Sequence, residues 1–403
     1  MRCAILVVLV GCMLCACHSG NGKDVPPFQH QAFYEELKGY AEDFLVVGGD
    51  WVEDFDDGAF YGPAFYAQAG ETEDDDAFRH RAVEAYQDNL AVMRAVENLT
   101  EADVNDLAMS LLGMIEYVDA SGDRSALDEI DEMITTINDF VASAGYYLPP
   151  EMVPGYAMDT YGPTAINGLM GLISLQRAQV LGGGGADPMV EFARGVADKI
   201  EEYNWSGTYY KFDPETDRLH LYPNITMIIY NARLYQLTKK PGYKGRAVET
   251  YLGMQPLKVT EADGLAAPGR YRSPYSQEDM GAQTDDYSTL SSQNYLMFAL
   301  MLLYQITGED KYLLEMNPVL DFFHENLVGE ACLVDISQDQ LCDPACSAGQ
   351  ACLKGDCFAD ECHTGILHHW MDGRVAEPDD LEFFCSGCNL QTLYLMWYRQ
   401  EKL

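Results

Sequence analysis

No cysteine occurs between Cys17 and Cys332, although the chain has 12 in all, four near its start and eight after residue 330. The long middle of the sequence therefore has no disulfides and must fold by burying apolar side chains, for which a hydrophobic content of 48% is ample. Basic residues are scarce: 25 Lys and Arg stand against 64 Asp and Glu, a net charge of -39. Such a chain repels nucleic acid and other polyanions, so no nucleic-acid partner is expected, and the partners that remain are neutral, cationic or bridged by metal. The same acidity equally suits solubility in salty surroundings. Strand patterns are almost missing, and beyond the first residues no apolar run is long enough for a permanent membrane helix.

That first run is itself short. Met1 and Arg2 lead into an apolar stretch over residues 4–10 that continues to Leu14 and ends Leu14-Cys15-Ala16-Cys17. A basic start, a short apolar core and a small-residue exit read as a secretory signal over residues 1–16. The ending is similar to a bacterial lipobox with Cys17 as the lipidated residue. This implies an exported outer-membrane lipoprotein, on the periplasmic or cell-surface side, that touches the membrane only through its lipid. Residues 17–27 then serve as a tether, and residues 28–403 form one domain, expected to be monomeric. The distal cysteines, Cys332, Cys342, Cys346, Cys352, Cys357, Cys362, Cys385 and Cys388, are even in number. In an exported chain they read as a local disulfide framework of open connectivity, inside an insertion over residues 332–388. Cys362-His363 with Cys385 and Cys388 imitates a zinc site, but export favours disulfides.

A period of 3.6 residues predicts twelve helices, near 29–46, 58–70, 77–96, 104–119, 125–144, 162–181, 187–203, 224–238, 242–253, 286–306, 311–327 and 386–400. Two kinds alternate. The helix at 187–203 carries one apolar stripe (Met189, Phe192, Ala193, Val196, Ile200), whereas 225–237 and 295–306 are apolar nearly all round. A repeat supports pairing them: Tyr235-Gln-Leu-Thr238 followed by Tyr243 recurs 69 residues later as Tyr304-Gln-Ile-Thr307 followed by Tyr312. A buried helix, a tight turn and an amphipathic helix make a unit that must stack to cover its faces. Six such units predict an all-α ring, an (α/α)6 toroid of six helical hairpins, with the disulfide-rich insertion before the last helix.

The loops are lopsided. Those leaving the buried helices are short (71–76, 120–124, 182–186, 239–241, 307–310), whereas those entering them are mostly long (47–57, 97–103, 145–161, 204–223, 254–285, 328–385). In a ring of antiparallel hairpins all the entering loops share one end, where a functional mouth is expected. They concentrate aromatics and carboxylates, the mixed lining that covers apolar sugar faces and binds hydroxyls. The substrate-binding candidates are Trp51, Tyr61, Asp159, Tyr161, Tyr222, Asn224, Tyr287, His368, His369 and Trp370. Asn224 and Asn389 start buried helices, where an amide is more often a cap.

Twelve alternating helices, Asp56-Asp57-Gly58-Ala59-Phe60-Tyr61-Gly62 opening the first buried helix, and the stretch from Asn224 to Thr238 with its repeat resemble the six-hairpin glycosidase-like superfamily. In flavour the chain is similar to bacterial endo-α-1,6-mannanases, in which an adjacent Asp pair at the mouth of the ring carries catalysis. The resemblance spans residues 28–327 and 386–400. It implies a secreted carbohydrate-active enzyme, first of all a glycoside hydrolase acting on a neutral glycan.

Glycoside hydrolysis needs one carboxyl to protonate the leaving oxygen and another to attack or to activate water. Asp56-Asp57 and Asp285-Asp286 each stand where a buried helix begins. There the helix N-terminus favours the ionised form while a neighbouring carboxylate raises a pKa, so one pair can divide the two roles. The ordinary reading of such an Asp is an N-cap. No cofactor is expected; calcium is the one metal with candidate oxygen ligands, in Asp50, Glu53, Asp54, Asp56 and Asp57, without the spacing of a full calcium loop. Two alternatives stand: an epimerase or lyase using His and Tyr as acid and base, and a non-catalytic lipoprotein that binds glycan or protein.

Overall fold

The structure is a computed structural model. It describes residues 25–44, positions scattered through 83–96, and residues 101–152, 162–180, 182–273, 275–277, 282–284, 286–332, 347, 350–353, 356–359, 362–367, 369–375 and 386–403. Its long helices are α1 (Gln31–Phe44), α2 (Glu101–Ser121), α3 (Leu127–Ser143), α4 (Gly162–Val180), α5 (Pro188–Asn204), α6 (Leu221–Thr238), α7 (Pro241–Gly253), α8 (Leu290–Thr307), α9 (Lys311–Phe322) and α10 (Ser386–Glu401).

The two kinds of helix form two layers. α3 buries only Ile130, Ile134, Ile137 and Val141, at the three- and four-residue spacing of one stripe. By contrast α6 buries every residue from Leu221 to Leu234 except Thr226, and α8 every residue from Leu290 to Leu303 except Tyr295. α2, α4, α6, α8 and α10 pack side by side in chain order as an inner row, α10 also meeting α1, while α5, α7 and α9 cover α4, α6 and α8 from outside. Each fully buried Ile or Leu contributes roughly 1.5–3 kcal/mol, so the inner row is the core.

Local chemistry sets the boundaries. Asp187 caps α5 by accepting the Met189 N–H at 2.9 Å, with Pro188 in the first turn. Thr289 and Ser292 form a reciprocal capping box at the start of α8. The repeat recurs in three dimensions: Thr238 and Thr307 return their hydroxyls to Leu234 O and Leu303 O, and the left-handed residues Lys239 and Gly308 close α6 and α8. Gln236 Nε2 donates to Gln305 Oε1 at 2.9 Å, joining the two copies.

The near absence of strands is corrected. Short antiparallel pieces occupy the entering loops: β1 (Tyr275–Gln277) with β2 (Ala282–Thr284), β3 (Tyr287–Thr289) with β8 (His369–Met371) and β9 (Arg374–Val375), β4 (Val328–Cys332) with β7 (Cys362–Ile366), and β5 (Gln350–Leu353) with β6 (Asp356–Ala359). Segments this short carry too few alternations to register as a period of two. The helix expected from 286 therefore starts at Leu290, and that expected to run to 327 ends at Phe322, followed by one π-turn, Phe323–Leu327.

Candidate active site

The long loops enter the inner helices at their starts, and in α4, α6, α8 and α10 one device ties the loop to the helix it feeds. In α6, Asn224 Oδ1 accepts the Tyr210 N–H at 2.8 Å while its Nδ2 donates to Tyr210 O at 2.9 Å and His220 O at 2.7 Å. Asn167 does the same to Leu148 from α4, Gln293 to Tyr271 from α8, and Asn389 to Ile366 from α10. All four amides are buried. A primary amide carries both a donor and an acceptor, so it satisfies the buried N–H and C=O of one loop residue together.

Solvent touches the inner row at few places. Of the described residues in the first three turns of α4, α6 and α8, those not buried are Leu169, Leu172, Thr226 and Tyr295. Helices covered by neighbours on either side and by an outer helix behind keep one face for solvent, the face turned away from the outer row. Leu169, Thr226 and Tyr295 each lie two residues beyond a clamp amide, Asn167, Asn224 and Gln293, so they stand at one level of that face. Thr226 faces Gly168 of α4, and the Tyr295 ring lies 6.4 Å from that of Tyr222.

Around this level the sequence candidates are distributed unevenly. Tyr222 is 6% exposed, and its hydroxyl lies 2.7 Å from Ser291 Oγ and 3.3 Å from Thr289 Oγ1, at the cap of α8. The buried His220 ring stands 6.1 Å from Tyr222 and 5.0 Å from Phe212. In the β3–β8 ladder His369 is the register partner of Thr289, which sets its backbone beside the same hydroxyl cluster. Asn224 is placed as a loop clamp. Tyr287 and Trp370 are 4% and 5% exposed and belong to the wall.

Asp286 pairs with Arg270, a guanidinium with no exposed surface, which also donates to Ser288 Oγ at 3.0 Å and Ala266 O at 3.2 Å. The same cation lies 5.9 Å from the Phe322 ring and 5.7 Å from that of Trp370. Burial pulls the Arg270 pKa down and Asp286 pushes it back up. One ion pair thus joins the loop after α7, the strand before α8, the end of α9 and the insertion.

Trp51, Asp56, Asp57, Tyr61, Asp159, Tyr161, Asp285 and His368 lie outside the described residues, as do Cys17, Cys342, Cys346 and Cys385. Cys388 is buried and disulfide-bonded, and the ladders set Cys332 opposite Cys362 and Cys352 opposite Cys357. Among the described residues no group of three His, Cys, Asp or Glu is arranged to hold a metal ion, and no helix is long and apolar enough to cross a membrane. Sequence reasoning missed Arg270, Ser291, Leu169, Thr226 and Tyr295. The 69-residue offset of the repeat carries Thr226 onto Tyr295 and Tyr222 onto Ser291, a signal that was there to use.

No family model matches the chain, and no curated protein matches it in sequence. Its fold is shared by solved structures. A D-mannose isomerase aligns over 94% of this chain and 100% of its own, at 12% identity and a TM-score of 0.59. A GH76 α-mannanase of Bacteroides thetaiotaomicron aligns over 93% and 96%, at 10% identity and 0.57. The cellobiose 2-epimerase of Spirochaeta thermophila aligns over 93% and 99%, at 13% identity and 0.56. Read with the inner and outer helix rows, these likenesses show that the chain shares the fold of these proteins.

Proposed function

We propose that this protein is a carbohydrate-active enzyme that works on a neutral sugar or glycan in an axial cleft lined by the exposed face of the inner helices. The observation that carries the proposal is the wetted level of Leu169, Thr226 and Tyr295 beside the Tyr222–Ser291–Thr289 hydroxyl cluster. It combines apolar and aromatic surface with hydroxyl donors and acceptors at the loop-bearing end of the fold. Glycoside hydrolysis is the first reading, with Asp56 and Asp57 as the acid and its partner carboxylate. Asp286, already engaged by Arg270, is less suited to that task. Sugar isomerisation or epimerisation is the second reading, favoured by Tyr222 and by His369 opposite Thr289, since a phenol and an imidazole can exchange protons at carbon. The proposal also makes the chain an exported lipoprotein, tested by palmitate labelling that Cys17→Ser abolishes.

Product analysis on a panel of neutral oligosaccharides and free sugars separates the readings. Hydrolysis releases new reducing ends and is lost in Asp56→Asn or Asp57→Asn, while Tyr222→Phe retains most of it. Isomerisation or epimerisation changes the sugar without cleaving it and shows the reverse pattern. Tight glycan binding without any product would instead support a binding protein.

A further inference from the structure

The clamp register that marks the cleft in three helices also runs through α10. There the clamp is Asn389, and two residues beyond it stands Gln391, the counterpart of Leu169, Thr226 and Tyr295. The level is fixed independently from the neighbouring helix. Asn294 Nδ2 donates to Cys388 O at 2.8 Å and Thr392 Oγ1 donates to Asn294 Oδ1 at 2.9 Å, so the residues next in sequence, Tyr295 and Gln391, sit at matching heights on adjacent helices. Gln391 is 2% exposed, and its Nε2 is buried with no hydrogen-bond partner. The four clamp amides, which are as well buried, all have theirs. A buried amide N–H without an acceptor is a net cost to folding, and each such group calls for a partner that completes it.

We infer that Gln391 is a ligand-binding residue, its amide N–H donating to a hydroxyl oxygen of the sugar in the axial cleft. The inference rests on the carbohydrate reading above and adds the residue that would hold the sugar from the α10 side. It also explains why an apolar residue does not occupy a position so fully enclosed: leucine fills the space without the unsatisfied donor.

Gln391→Leu tests this, because the binding and structural roles move stability in opposite directions. The full chain carrying Gln391→Leu is expected to melt at the same temperature as the wild type or higher. Its KM for the sugar that the wild type turns over should rise about tenfold with kcat little changed, as for loss of one neutral hydrogen bond made in both ground and transition states. A fall of several degrees in the melting temperature would show that the amide is satisfied within the protein, and would overturn the inference. An unchanged KM in an active, stable variant would overturn it equally. Failure of the wild type to act on or be stabilised by any sugar would reject the carbohydrate reading itself, an outcome seen before the variant is made.

Discussion

Arg270 shows how much one side chain can decide. A guanidinium with no exposed surface survives in a core only where its charge is met, and Asp286 meets it. Removing one partner leaves the other buried and unpaired, so Asp286→Ala should lower stability by roughly 3–5 kcal/mol, read as a shift in the urea midpoint. Replacing both at once, Arg270→Met with Asp286→Leu, should recover most of that loss, since apolar groups of similar volume often substitute for a buried pair. A mild effect of Asp286→Ala would mean that the carboxylate is free for another role. The spacing of Asp285-Asp286 before a buried helix was legible in the sequence. Arg270 was not, because its partner is 16 residues away and the rings beside it are further still.

At the scale of elements, the inner row depends on close approach. Gly171 of α4 lies under the Tyr230 ring of α6, so close that an added Cβ would stand 1.8 Å from the Tyr230 hydroxyl. That hydroxyl donates to Ala193 O of α5 at 2.6 Å, locking three helices at one point. Gly171→Ala should therefore destabilise by about 1–3 kcal/mol through overpacking, despite alanine's better helix propensity, and thermal melting will show it. A gain in stability would mean that α4 and α6 can part without loss. Helix positions and their two kinds could be read from periodicity, because a stripe and an all-round apolar helix differ over many residues. The β3–β8 pairing and the π-turn after Phe322 could not, because both follow from contacts between distant segments. The clamps fell between these cases: Asn224 and Asn389 stood out as helix starts, while their hold on Tyr210 and Ile366 is a tertiary fact.

The whole molecule carries an unusual load of enclosed tyrosines. Burial pushes the hydroxyls of Tyr86 and Tyr251 up to about 12, and raises those of Tyr147, Tyr210, Tyr230 and Tyr271 as well, from an ordinary value of 10.0. A folded-state pKa above the unfolded one means that the native protein holds the proton more tightly. The stability this contributes is complete below pH 10.0 and is lost as pH rises towards the folded values. Melting temperatures should thus drop steeply between about pH 10 and 12, with the tyrosinate absorbance of the enclosed residues appearing only as the protein unfolds. Ionisation of all the tyrosines in the folded protein would contradict such burial.

These scales meet in the proposed axial cleft, where inner helices, clamped loops and the wetted level of Leu169 and Thr226 coincide. The most direct test is turnover of a panel of neutral sugars and glycans by the wild-type chain and by Leu169→Trp, which narrows the cleft where it meets solvent. The prediction is that the wild type converts at least one member and that the variant, melting at an unchanged temperature, loses roughly 100-fold or more in kcat/KM, a loss of about 2.7 kcal/mol in transition-state stabilisation. Conversion of no member by the wild type, or full activity in the folded variant, would contradict the assignment of this cleft as the active site.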